Sequence, residues 1–233
     1  MKKYWVVLTL AAALVGVTSV NASLTVVIDT PNPSQIVNLV VTPEAGSAVP
    51  SFSGSVYAGI YNETVNGVFT PSFCIDVAHD VSVGEVFHDY SYAALSSAPD
   101  TPAGPMGAAT AISIEKLWAQ YYASAQADNT GVTAAALQLA IWEVEGSGQN
   151  LGNGNPGYTV SSSGPASVTS LTTTMLEALP GLSTEADLLA IVSPDGQSYV
   201  IAVPETSTMI AGALLLLPLG ASAVRILRKH RVA

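Results

Sequence analysis

The spacing of apolar positions changes midway along the chain. In the first half, apolar and polar residues nearly alternate over Leu24 to Ile28, Ile36 to Val41, Ser55 to Tyr61 and Val68 to Val77, stretches rich in Val, Ile and Tyr that predict four strands. Asn62 to Gly67 reads as the turn of a hairpin between the last two, with the Asn62-Glu63-Thr64 sequon as turn chemistry, which places Cys74 on the hairpin's second strand. A loop from Asp100 to Gly107, broken by Pro102 and Pro105, ends this half.

Beyond the loop the period lengthens. Ile114, Leu117, Trp118, Tyr121, Tyr122 and Ala125 recur at helical spacing, an aromatic stripe assigned to the core. From Thr133 to Val144, Leu137, Ala140, Ile141 and Val144 fall at i, i+3, i+4 and i+7, predicting a second helix with Gly146 as its stop. Val168, Leu171, Thr172, Met175 and Leu176 predict a third, started near Pro165 and stopped by Pro180-Gly181. Leu188 to Val192 and Ser198 to Val203, joined by Pro194-Asp195-Gly196, predict a closing β-hairpin. Gly146 to Gly157 and Ser161 to Ser163 lack the strand-before, helix-after setting of a phosphate-cradling loop and are expected as flexible connections. A strand-rich first half, central helices and a final hairpin make an α+β domain.

The two ends have a different character. Lys2 and Lys3, the apolar run Trp5 to Val17 and the small residues of Val20-Asn21-Ala22 predict a signal peptide, residues 1–22, cut by signal peptidase after Ala22. The run is short of the ~20 residues that a membrane span needs. At the other end, the apolar stretch Met209 to Val224, with Arg225, Arg228, Lys229 and Arg231 behind it, has the form of a stop-transfer segment with its basic side in the cytoplasm. The domain between, residues 23–202, is expected outside the cytoplasm, and its roughly 180 residues suffice for one core.

Charge narrows the partners. Between Ala22 and Pro204 sixteen Asp and Glu stand against one basic residue, Lys116, a net charge of −15. Such a surface repels nucleic acid and anionic lipid, so neither is expected as a partner. An acidic, lysine-poor composition serves to keep an exported protein soluble; it would equally suit a chain with an acyl electrophile, which amines of its own would consume.

Two polar residues in apolar surroundings need a reason: Cys74, the only cysteine, and Gln138, one turn before Trp142 in the second helix. A lone exported thiol has no internal disulfide partner. Phe73-Cys74-Ile75 and Leu137-Gln138-Leu139-Ala140-Ile141-Trp142 resemble the aromatic-Cys-aliphatic and aliphatic-Gln-x-x-aliphatic-Trp segments of bacterial Cys–Gln thioester domains, found in surface adhesins. The resemblance implies an internal thioester between the Cys74 sulfur and the Gln138 side-chain carbonyl, formed with loss of ammonia. An amine or hydroxyl on a surface protein or polysaccharide target would open it once, without enzymatic turnover and with no cofactor. Phe73, Ile75 and Trp142 would keep water from the bond, and His79 would assist proton transfer.

Val203-Pro204-Glu205-Thr206-Ser207-Thr208, the apolar stretch and the basic end resemble the PEP-CTERM sorting signal, residues 203–233, with Thr206 where that family has a second proline. The resemblance implies processing by an exosortase at the inner membrane of a Gram-negative bacterium, and then residence at the cell surface or in the extracellular polysaccharide matrix of a biofilm.

Other chemistries compete for the same residues. Cys74 with His79 or His88 would make a cysteine hydrolase pair, but no hydrolase signature surrounds the cysteine and the glutamine is left unexplained. His79, Asp80, His88 and Asp89 match no common metal spacing, so no metal is expected and a solvated or turn-capping role is assigned. The alternative to the thioester is a passive, non-covalent component of the extracellular matrix.

Overall fold

The structure, a computed structural model, describes residues 23–100, 102–146 and 157–203. The expected signal peptide and the sorting signal from Pro204 onward lie outside the described residues. Among the described residues no helix is long and apolar enough to cross a membrane.

Among the described residues nine strands and three α-helices make an α+β fold. Six strands close a barrel in the order β1 (Leu24–Val27), β4 (Tyr61–Val65), β5 (Val68–Cys74), β9 (Tyr199–Ala202), β8 (Leu188–Val192) and β6 (Val86–Ala94). The other three, β3 (Phe52–Gly59), β2 (Ser34–Pro43) and β7 (Tyr158–Ser163), form a separate antiparallel sheet. Helices α1 (Gly107–Ala127), α2 (Val132–Glu145) and α3 (Ala166–Ala178) pack with α2 in the middle, and α2 also lies against the three-stranded sheet.

That position corrects the expected amphipathic helix. Ala134 to Trp142 are buried on every side of α2, because α1, α3 and the sheet leave it no solvent face. Gln138 is therefore fully enclosed rather than set at a border. The start of α2 is held by Asp128, whose carboxylate accepts from the Thr130 and Thr133 backbone N–H groups at 2.9 and 2.8 Å. The Thr130 hydroxyl, which also donates to it, followed by these N–H groups and the Thr133 hydroxyl, holds its carboxyl well below the usual range. Gly131, at φ +75°, permits the turn; a Cβ there would lie 2.4 Å from the Ser34 carbonyl oxygen. At the far end Gly146 stops the helix for lack of room, since a Cβ would lie 2.6 Å from Val160 Cγ2.

The predicted hairpin forms with a shorter turn. Val65 pairs with Val68, leaving Asn66 and Gly67, at φ +49° and +81°, as a two-residue connection. Asn62, Glu63 and Thr64 thus belong to β4 and are not turn residues. The predicted strand from Ser55 to Tyr61 is divided: the chain passes from the sheet to the barrel at Ile60, where Gly59 packs so closely on the Pro33 carbonyl that a Cβ would lie 2.3 Å from its oxygen. Ser161 to Ser163, expected as a flexible connection, are the end of β7, whose backbone pairs with β2 over Asn38 to Pro43. His88 lies on β6, a strand the apolar pattern did not predict, with its ring 3.1 Å from Thr25 Oγ1, and so caps no turn.

Candidate functional site

Cys74 is the last residue of β5, and the structure brings it against Gln138. The register that pairs Tyr61 with Ser72 would continue to put Gly59 opposite Cys74, but Gly59 pairs with Ser34 in the other sheet. The Gln138 amide fills the gap. Its Oε1 accepts the Cys74 N–H at 3.0 Å and its Nε2 donates to the Cys74 carbonyl at 2.8 Å, so a side chain completes the ladder that β4 abandons. On the opposite edge Cys74 pairs with Tyr199 of β9. Both residues are fully buried.

The thiol bends back onto its own chain. It donates to the Asp76 carbonyl oxygen at 3.2 Å, and the Asp76 N–H approaches the sulfur at 3.4 Å. Burial pushes the Cys74 thiol well above its ordinary value, against the opposing pull of the Asp76 backbone; the neighbouring Asp76 and Glu145 carboxyls push the same way as burial. The indole N–H of Trp142 has no well-formed acceptor but lies near enough to Cys74 to favour the thiolate slightly. Cys74 is therefore protonated at neutral pH, which is the reverse of an activated hydrolase nucleophile. Neither His79 nor His88 shares a hydrogen bond with it: His79 Nδ1 sits 2.9 Å from Asp76 Oδ2, and His88 is engaged with Thr25.

Asp76 organises the surroundings. Its buried carboxylate accepts from the backbone N–H groups of Ala78, His79 and Ser198, at 2.9, 3.3 and 3.3 Å, while Gln197 Nε2 donates to its carbonyl at 3.1 Å. The sequence pattern did not single out Asp76, although its place two residues after the cysteine was the available signal. The other expected residues divide. Trp142 lies between the thiol and a cavity of about 190 Å³, which Tyr61, Asp76, His79 and Gln197 also line. Ile75 is buried, its N–H bonded to the Ser198 carbonyl. Phe73 turns to the other face of β5 and packs edge-on against Trp118 of α1, with ring centroids 5.5 Å apart.

A second buried acid lies in the barrel. Glu63 follows Tyr61 inward, takes a 2.5 Å hydrogen bond from Ser72 Oγ, and has its carboxyl pushed up to about 8 by burial. Among the described residues no group of three or more His, Cys, Asp or Glu is placed to hold a metal ion. No protein-family model, curated protein or solved structure matches the chain.

Proposed function

We propose that the chain is an exported surface or matrix protein whose Cys74 sulfur and Gln138 side-chain carbonyl form an internal thioester for one covalent attachment to a partner. The observation that carries the reading is the pairing of the Gln138 amide with the backbone of the one cysteine, inside a core without access to bulk water. Such fixed proximity converts acyl transfer into an intramolecular step. Water, which would hydrolyse the bond, is kept out by the same packing, with Trp142 between the sulfur and the cavity.

The cavity gives the attacking group an approach. Asp29, Asp76 and Asp80 line it together with His79, so an amine arriving as its ammonium is drawn in and an anion is repelled. His79, braced by Asp76, is the side chain placed to take the amine's proton. Attack on the Gln138 carbonyl yields an amide, or an ester from a hydroxyl, and returns Cys74 to the thiol. Signal peptidase and exosortase would deliver the domain to the cell surface or polysaccharide matrix by way of the inner membrane.

A second reading has its own support. The Gln138 amide satisfies both polar groups of Cys74 at a break in the ladder, so it also serves as a structural pin between helix and barrel, with the protein a non-covalent matrix component. Intact mass separates the two. A thioester predicts a mass lower than the sequence by one ammonia, unchanged full mass in Cys74→Ala, and a methylamine adduct on Gln138. Full mass with a titratable thiol in the fresh, folded protein would establish the pin alone.

A further inference from the structure

Glu145 is the buried acid nearest in sequence to Gln138 and Trp142 that the thioester reading leaves unused. It lies seven residues after Gln138 and three after Trp142, on one stripe of α2. It is 5% exposed, and among the described residues neither of its carboxyl oxygens has a hydrogen-bond partner. The Trp142 indole N–H and the hydroxyl of Ser198, a residue whose N–H bonds Asp76, are likewise buried without partners. An aliphatic side chain at 145 would fill the same place without the penalty of burying an unpaired polar group. Acids kept at such a penalty are characteristic of reactive sites.

We propose that Glu145 holds the proton that the Gln138 nitrogen takes as it leaves, and then recovers one from the Cys74 thiol. The inference rests on the thioester reading. Sulfur attacks the Gln138 carbonyl carbon, the C–S bond forms and the C–N bond breaks. The nitrogen departs as ammonia with the Glu145 proton, and the thiol proton returns to the carboxylate, so no other reactant is needed. Without such a group the step combines two poor participants, a protonated thiol and an amide leaving group. Glu145 is supplied to it neutral, because burial, reinforced by Asp76, pushes its carboxyl well above the ordinary value. The titratable groups that bear on it are Cys74 and Asp76 from the end of β5 and Tyr158 from β7. Among the described residues Glu145 has no hydrogen bond to the reacting atoms, so the role requires its carboxyl to turn toward them along the stripe it shares with Trp142 and Gln138.

The test follows closure of the ring in the full chain, recovered in denaturant with thiol free and amide intact, diluted into native buffer and sampled by intact mass. Glu145→Gln should fold, as shown by circular dichroism, and lose ammonia roughly 100-fold more slowly than wild type. The ratio of wild-type to variant rates should be greatest in acid and shrink as pH rises through the titration of Glu145, because the thiol's own ionisation cancels in the ratio. Glu145→Asp should recover part of the rate. A Glu145→Gln protein that closes as fast as wild type, or a rate ratio that does not change with pH, overturns the role of Glu145 and leaves the thioester standing. A wild-type chain that never loses ammonia overturns both.

Discussion

Replacing Gln138 by Met, in a chain that already carries Cys74→Ala, isolates what the amide does for the fold. The alanine keeps the backbone N–H and C=O of residue 74 and removes any cross-link. In the reference chain those groups are satisfied by Gln138 at 3.0 and 2.8 Å, in a place where no strand can reach them. The methionine strands both in a dry core, at about 1–3 kcal/mol each. Its own gain in apolar burial offsets roughly 1 kcal/mol of that. A net loss of ~1–5 kcal/mol is a sizeable part of the ~5–15 kcal/mol that ordinarily holds a domain together. With a slope near 2 kcal/mol/M, the urea midpoint should fall by about 0.5–2.5 M at unchanged slope. The assay is equilibrium urea unfolding of the two chains, followed by tryptophan fluorescence. A fall below about 0.3 M, or a rise, would refute the claim that the amide completes the β5 ladder.

The remaining predictions concern Glu63 and Gly131. The Glu63 carboxyl is raised in the fold from an ordinary 4.5 to about 8, so its contribution to stability is whole below pH 4.5 and is lost as pH rises toward 8. That loss is at most about 5 kcal/mol, and Glu63→Gln should shrink the fall in urea midpoint between pH 5 and 8, with Glu145, Glu143 and Glu115, whose carboxyls are also raised by burial, contributing to the slope that remains. Gly131→Ala should lower the melting temperature by at least ~3 °C, since the left-handed conformation alone costs about 1–2 kcal/mol and the Ser34 carbonyl must also be displaced; an unchanged melting temperature would refute the packing described.

Elements with a strong period of their own were legible in the sequence. The stripe on α1, the Pro165 start of α3 and the β8–β9 hairpin follow from local pattern, and the structure has them. What could not be read locally is supplied by partners distant in sequence. β7 is YTVSSS, too polar to predict as a strand, and exists because β2 offers it a complete ladder. Glu63 sits on the inward face that Tyr61 and Val65 define, yet an acid in a strand pattern reads as solvent-facing until the barrel is known to close around it. The meeting of Cys74 with Gln138 came from motif order, but the cause of their contact, the departure of the chain at Gly59, is visible only in three dimensions. Glu145 had a signal in its i+7 spacing from Gln138; its depth depended on β7, which the pattern missed.

Strand β9 lies between β5 and β8 and ends one residue before Val203, the last described residue. A pull on the chain beyond that point, along the strand's axis, loads two ladders together and in shear, so their hydrogen bonds must fail in concert and not one after another. Tyr199, at the far end of this short strand, is paired with Cys74, whose other edge is gripped by α2. Tension entering at the C-terminal side is thus handed within one strand to Cys74 and across its two hydrogen bonds to Gln138, the residue proposed to carry a partner, so that on that proposal the fold would be a short mechanical linkage to the attachment point.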